Sequence, residues 1–272
     1  MSTLKEKANE ILSEKSEKIK SGNIRKGVKI FDVTGTLNVN GYPPDWSEIG
    51  YQDVPEGLID AFNYAKTIQE NWDSSITSMI DTFRANKKLV FLPMIDTSNV
   101  TNMSGAFQNC TSLISVPLLD TSNVTNITNM FSNCSALKYI PKFNTSKVST
   151  IDSAFTACSE LKEIDLDFTY AFSTSNFAMS VFNGCASLES IKFGDIDNIN
   201  RSTDLLKFTG MFSSCSKLDD DTLNRILKLL PKLKPVNPGT LSAFGVSQAN
   251  ATRCESLSNY QAFINAGWST GY

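Results

Sequence analysis

The sequence contains no histidine. Imidazole is the side chain best suited to proton transfer near neutral pH and the commonest zinc ligand. Its absence removes Ser–His and Cys–His nucleophile pairs and most zinc chemistry, so any catalysis would fall to carboxylates or cysteine. A basic excess is missing as well: 25 Lys and Arg stand against 28 Asp and Glu, for a net charge of -3. No stripe of cations is available for a phosphate backbone, which argues against nucleic acid as a direct partner. No run reaches the roughly 18 apolar residues of a membrane span. Met1–Lys20 is charged and lacks the apolar core of a signal peptide, and no lipid-attachment cysteine stands near the start. These absences lead to the expectation of a protein made in a cytoplasm and not exported by the usual routes. Neither Gly27–Gly35 nor Gly239–Gly245 has the spacing of a phosphate-binding loop.

What is present is a period. Phe107, Phe131 and Phe155 stand 24 residues apart, and each opens a Phe-x-x-Cys-x-x-Leu unit ending at Leu113, Leu137 or Leu161. The unit returns at longer intervals as Phe182-Cys185-Leu188 and Phe212-Cys215-Leu218, and upstream as Phe83-Asn86-Leu89. A fixed repeat of this length marks a solenoid, in which each unit buries its apolar side against its neighbours. The six cysteines are Cys110, Cys134, Cys158, Cys185, Cys215 and Cys254. All but the last fill one slot of the repeat, which points to a reduced, buried ladder. The even count admits disulfides, but zinc-knuckle spacing is missing.

Four regions follow along the chain. Residues 1–37 combine a helix with a thin stripe of Leu4, Ala8, Ile11 and Ile19 and a short β element carrying Val28, Ile30 and Val33. Residues 38–73 are a linker and an N-terminal cap, with Leu58, Ile59, Phe62 and Ala65 on one helical face and Trp46, Tyr51 and Trp72 filling the end layer. Residues 74–218 are the repeats. In each, the spacing of Val100, Met103, Ala106, Phe107 and Cys110 predicts a helical face, and the stretch around Leu113 and Val116 predicts a short strand. Pro117 and Pro141 suit strand ends. The longer intervals place loops at Ala171–Phe177 and Ile196–Asp204. Residues 219–272 read as a helical C-terminal cap, with helices at Asp219–Leu230, Ser247–Cys254 and Ser258–Gly267. The fold class is α/β repeat: one helix plus one short parallel strand per unit, between an N-terminal appendage and a C-terminal cap.

Few residues invite a site. Asp219–Asp221 resembles a cation cluster, but the run opens a helix and acts there as a cap. Asn-x-Ser/Thr triplets at Asn99, Asn123, Asn144 and Asn250 match glycosylation acceptors and equally match capping residues copied with the repeat. The strand side is the candidate binding face. There Ile114, Ser115, Lys138, Tyr139, Lys162, Glu163, Glu189 and Ser190 are expected to face outward, changing chemistry from unit to unit over a constant core. An ordinary solvated strand face would show the same pattern. No metal and no cofactor is expected.

The stretches Asp96-Thr-Ser-Asn-Val-Thr-Asn-Met and Asp120-Thr-Ser-Asn-Val-Thr-Asn-Ile, each followed by Phe-x-Asn-Cys-x-x-Leu, resemble the BspA-like leucine-rich repeats. The match covers Ile76 to Leu218 and includes the polar positions. It implies recognition or adhesion without catalysis, in proteins that elsewhere carry export signals and anchors. Gly27-Val-Lys-Ile-Phe-Asp-Val-Thr-Gly-Thr-Leu37 is similar to an element of phage tail and fibre proteins, departing from its usual pattern at Asp32. Asp45–Tyr51 and Ala266–Tyr272 are also similar to phage proteins bearing these repeats. Together these imply a virion structural protein, made in the host cytoplasm and released by lysis. Its N-terminal residues Leu4, Ile11, Ile19, Val28, Ile30 and Val33 would attach it to other virion proteins. Its repeats would meet a host-surface glycan or protein. A homo-oligomer, a trimer first, is expected from the N-terminal helix. The alternative is a bacterial adhesin or interaction module.

Overall fold

The computed structural model describes residues 56–174, 178–199, 209–233 and 240–271. The expectations for Leu4, Ile11, Ile19, Val28, Ile30, Val33, Trp46 and Tyr51 lie outside the described residues.

Successive units stack in sequence order, with the repeat as the vertical step. One row of parallel bridges joins Ser78, Asn102, Asn126 and Thr150, and a second joins Phe91, Ser115 and Tyr139. Strands β1 (Glu163–Asp165) and β2 (Ser190–Lys192) carry the second row onward, with Glu163 opposite Ser190. The motif phenylalanines form a column inside. Ring centroids from Phe83 to Phe107, Phe131, Phe155, Phe182 and Phe212 are 5.5, 5.2, 5.8, 5.9 and 5.9 Å apart, with the planes within 15° of parallel. Each buried ring removes apolar area worth about 1.5–3 kcal/mol, and an offset stack adds roughly 0.5–1.5 kcal/mol.

The expected helix in each repeat does not form. Between Val100 and Cys110 the chain makes a flat turn whose N–H groups leave it alternately. Met103, Gly105, Phe107 and Asn109 donate forward to Asn126, Thr128, Met130 and Ser132 of the next unit at 2.8–2.9 Å. Ala106, Gln108 and Cys110 between them donate three residues back, at 2.9–3.1 Å. An α-helix would spend every N–H four residues back, within the unit. The physical reason is a pair of left-handed residues two before and two after each phenylalanine. Gly105 and Asn109 have φ of 65° and 62°, Asn129 and Asn133 of 57° and 60°, and Ser153 and Ala157 of 52° and 57°. A left-handed residue cannot sit inside a right-handed helix. The spacing of three and four that predicts a helical face is met by this turn, which also buries Val100, Met103, Ala106, Phe107 and Cys110.

The polar half of the repeat is spent on the same stacking. Asp96, Asp120, Asn144, Asp167 and Asp195 each accept the N–H two residues on, at 2.9–3.1 Å, which folds the corner after the strand. The Ser98 N–H favours the ionised form of Asp96, and the Ser122 hydroxyl and then its N–H favour that of Asp120, which holds both carboxyls below the usual carboxylate range. Thr97 and Thr121 are buried and donate to the carbonyls of Asp120 and Asn144, both at 2.9 Å, and Thr145 reaches Asp167. Asn99 and Asn123 donate backward to Ser74 and Ser98 at 3.1 and 2.9 Å. These triplets therefore act as inter-unit clamps, and no helix is there for them to cap. Thr121→Val, equal in shape, should strand the Asn144 carbonyl. It is expected to cost about 1–3 kcal/mol in chemical denaturation, whereas Ser122→Ala, on the rim, should cost little.

Both ends are closed. Helix α1 (Glu56–Glu70) buries Ala61 and Ala65, and its Tyr64 hydroxyl accepts from Asn86 at 2.7 Å. Trp72 extends the ring column beyond Phe83 at 6.1 Å and donates to the Asp96 carbonyl. At the other end, α2 (Thr169–Thr174) and a 3-10 turn (Ile196–Asn198) occupy the two longer intervals. Helix α3 (Asp220–Leu229) starts at Asp219, whose carboxylate accepts from Thr222 N–H at 2.7 Å, so the acidic run is a cap. The Thr222 hydroxyl accepts from Ile191 N–H at 3.0 Å, standing where a further strand would pair. Helices α4 (Gln248–Cys254) and α5 (Tyr260–Asn265) complete the cap, with Phe263 and Trp268 in the core and Gly267 at φ 87° after the last helix.

Candidate functional site

Two columns of the repeat bear on function: the cysteines and the outward rows of the strand side. The five repeat thiols form a ladder of S–H···O bonds. Cys110, Cys134, Cys158, Cys185 and Cys215 each donate to the carbonyl of the preceding motif phenylalanine, at 2.9–3.1 Å. All six cysteines are free and buried. Burial pushes the Cys110 and Cys254 thiols up to about 11 and Cys215 to about 12, and it raises Cys134, Cys158 and Cys185 further. A nucleophilic cysteine needs the opposite shift. The slot is more specific than a small apolar filler, because the thiol also satisfies a carbonyl. In the first unit, which has no preceding phenylalanine carbonyl to reach, Asn86 uses its amide on Tyr64 instead.

The strand side carries the expected binding residues on neighbouring rows. Leu92, Val116, Ile140, Ile164 and Ile191 point into the core, so the residues before and after them form the outer rows. Along the row Phe91, Ser115, Tyr139, Glu163, Ser190, exposure changes abruptly. Phe91 and Ser115 are each 4% exposed, Tyr139 is 42% exposed, and Glu163 is open to solvent. Ile114 is also buried, whereas Lys162 and Glu189 in the same slot are exposed. The expectation that Ile114 and Ser115 face solvent is thus corrected: they belong to an apolar floor with Phe91, Pro93 and Pro117. The Ser115 hydroxyl lies buried in that floor without a hydrogen-bond partner.

The accessible part of the face is therefore its later half. It carries Tyr139, Lys162, Glu163 and Glu189, with Lys138 and Ser190 half-buried. Position-specific chemistry continues on the adjoining row. Lys142 pairs with Asp165 at 3.0 Å, and Lys192 lies 3.3 Å from Asp165 and 3.4 Å from Glu163. The Lys142 hydrogen bond holds the Asp165 carboxyl below its usual range, and Asp165 in turn raises Lys192. Lys142, Glu163 and Lys192 are exposed and Asp165 is half-buried, so water screens these pairs and they add little to stability. Their value is an alternating charge pattern at a surface. Lys142, Asp165 and Lys192 were not singled out from the sequence, although they flank the strand core in the same way as Pro117.

Elsewhere, a cleft of about 260 Å³ lies between the 196–198 turn and α3. Lys228 pairs there with Asp197 at 2.6 Å and Arg225 with Asp221 at 2.8 Å, and the Asp195 carboxylate accepts from Asp197 N–H and the Asn198 amide. Among the described residues no three His, Cys, Asp or Glu side chains come together as a metal site. No described helix is long and apolar enough to cross a membrane.

Known proteins place these units. The family described as "Mycoplasma protein of unknown function, DUF285" matches residues 56–167 and again residues 114–225. The two matches together run from 56 to 225, more than half of the 272 residues. The chain belongs to this family. Overlapping matches are what a periodic sequence gives, and the DUF285 region takes in α1 and every Phe-x-x-Cys-x-x-Leu unit. It supports the resemblance to BspA-like repeats. Among solved structures, the crystal structure of a leucine-rich-repeat protein of T. pallidum is 20% identical, with 56% of this chain and 75% of that chain covered and a TM-score of 0.35. Likeness at that score does not establish a common fold. No curated protein matches the chain.

Proposed function

We propose that this DUF285 chain is a non-catalytic recognition module that binds a macromolecular partner through the later half of its strand face. The observation that carries this reading is the contrast between columns. The threonine and cysteine slots whose side chains bond a neighbouring unit repeat their residue type, whereas the outer strand slots run Tyr139, Glu163, Ser190 and Lys138, Lys162, Glu189. Aromatic and charged side chains on a rigid scaffold are the usual material of a protein-binding patch.

In its finer form, the chain is a structural component of a bacteriophage particle, in the tail, baseplate or head fibre. Met1–Leu37 attaches it and the repeats are turned towards the host, where they meet a surface glycan or protein. Support comes from the phage-like stretches at Gly27–Leu37, Asp45–Tyr51 and Ala266–Tyr272. Self-association, as a trimer first, belongs to the same reading and would act through the N-terminal helix. The test is to purify particles from cells making either the full chain or a chain lacking Met1–Leu37. Mass spectrometry should find the first in particles and not the second. Equal incorporation of both would sink the attachment assignment. A second reading, a bacterial BspA-like surface adhesin, is favoured by the family description, which names Mycoplasma. Phage structural genes on both sides of the coding sequence would decide for the particle, and chromosomal surface-protein genes for the adhesin.

A further inference from the structure

The cleft beside the 196–198 turn is lined by side chains that the fold fixes in place without exhausting them. It begins at Gly194 and Asp195, just past Lys192 on the open rows of the strand side, and α3 and Asn259 form its far wall. Asp195 is held by Asp197 N–H at 3.1 Å and the Asn198 amide at 2.6 Å. The Asn224 side chain is fixed between the Ser258 hydroxyl and Asn259 N–H, both at 3.0 Å. Bonding capacity remains after these contacts. Arg225 is half-buried and spends its Nε on Asp221, and its two Nη groups have no partner among the described residues. Lys228 bonds Asp197 through one of its three N–H groups, and both aspartates keep lone pairs.

Charge in the lining cancels, with Asp195 and Asp197 set against Arg225 and Lys228. An anion would meet the two carboxylates and a cation the two basic groups, so like-charge contact opposes either. A neutral ligand that donates and accepts at many adjacent atoms meets neither cost. We propose that the cleft binds a neutral pyranose, as the end or a branch of a glycan chain. Each sugar hydroxyl can both donate and accept, and neighbouring hydroxyls match the paired atoms of a carboxylate, an amide or a guanidinium. The volume of about 260 Å³ is just under the roughly 300–1,000 Å³ of sites for drug-sized ligands, which suits one ring. Because the lining is already bonded in place, little ordering opposes binding. The inference rests on the recognition reading for its purpose alone. It adds a second site at the end of the open strand face, and binding there can be tested with no macromolecular partner.

The test is an NMR titration of the isotope-labelled full chain with glucose, galactose, mannose and N-acetylglucosamine. At least one sugar should bind with a millimolar dissociation constant and shift the backbone amides of 194–198, Asn224, Arg225, Lys228 and Asn259. Arg225→Ala removes the unpartnered donors and keeps a good helix former, and it should weaken that binding about tenfold. Lys228→Met, with the same expectation, replaces it if the first variant fails to fold. Lys162→Ala, on the strand face, should leave the affinity unchanged. No shift with any of the four sugars would overturn the proposal. So would shifts confined to the strand face, or shifts that inorganic phosphate or calcium produces and no sugar does. Failure of the strand face to bind a partner, or of Met1–Leu37 to attach the chain, would leave this readout unaffected, so the ideas fail separately.

Discussion

Phe131→Ala is expected to lower the unfolding free energy by about 3–5 kcal/mol, a large fraction of the stability of an ordinary domain. Phe131 is fully buried between Phe107 at 5.2 Å and Phe155 at 5.8 Å, and it also touches Phe143 at 6.4 Å. Removing the ring therefore opens a cavity in mid-column. The backbone around that cavity is tied to units on both sides, with Phe131 N–H on Ala154 and Phe107 N–H on Met130. A site clamped in this way cannot collapse to fill the space, which puts the cost near the top of the range. Phe131→Leu keeps much of the volume and should cost clearly less. Equilibrium urea unfolding of both variants checks the order. Because each unit contacts only its neighbours, the alanine variant should also broaden the transition. A cost below about 1 kcal/mol for Phe131→Ala would mean that the column is not the core.

The second large effect is chemical silence. None of the six thiols should react with DTNB at pH 8 in the native protein, and all should react within the unfolding transition. A thiol raised to about 11, as Cys110 is, keeps roughly one part in a thousand as thiolate at that pH, before its burial is counted. The sign of the pH dependence follows. Folded-state thiol pKa values lie above the unfolded values, so this stabilising contribution is complete below the ordinary thiol range. It is lost as pH rises from about 9 towards the raised values, because unfolded thiols ionise first. Stability should therefore decline on the alkaline side. One cysteine titrating rapidly in the native state would contradict the ladder at that rung.

Much of this architecture was legible in the sequence, and the reasons are physical. The interval between Phe107, Phe131 and Phe155 equals the vertical step of the stack, so period alone located the core column. Acidic residues ahead of a 3.6-residue apolar pattern located α3, and Gly267 marked the end of α5. The turn was missed because apolar positions three and four apart fit both a helix and a bent segment whose N–H groups point alternately along and across the stack. The distinguishing signal was there in Gly105, Asn109, Asn129, Asn133, Gly184 and Gly210, residue types that tolerate positive φ, at two fixed slots. Asp81, Ala85, Ser153 and Ala157 in the same slots obscured it. On the strand side, alternation correctly gave the rows, but it could not show that Ile114 and Ser115 are covered. Burial of an outward row depends on something other than the strand's own sequence.

The repeated segment is a ladder of left- and right-handed turns, which leaves function to the outer rows. Ala157→Gly tests this by sign. Ala157 has φ of 57°, where a Cβ costs roughly 1–2 kcal/mol, and glycine removes that strain for a smaller loss in unfolded-chain entropy. The denaturation midpoint should rise, by an amount equivalent to about 0.5–1 kcal/mol. In a helix the same change would lower stability by about 1 kcal/mol. A fall of that size in the urea midpoint would contradict the ladder.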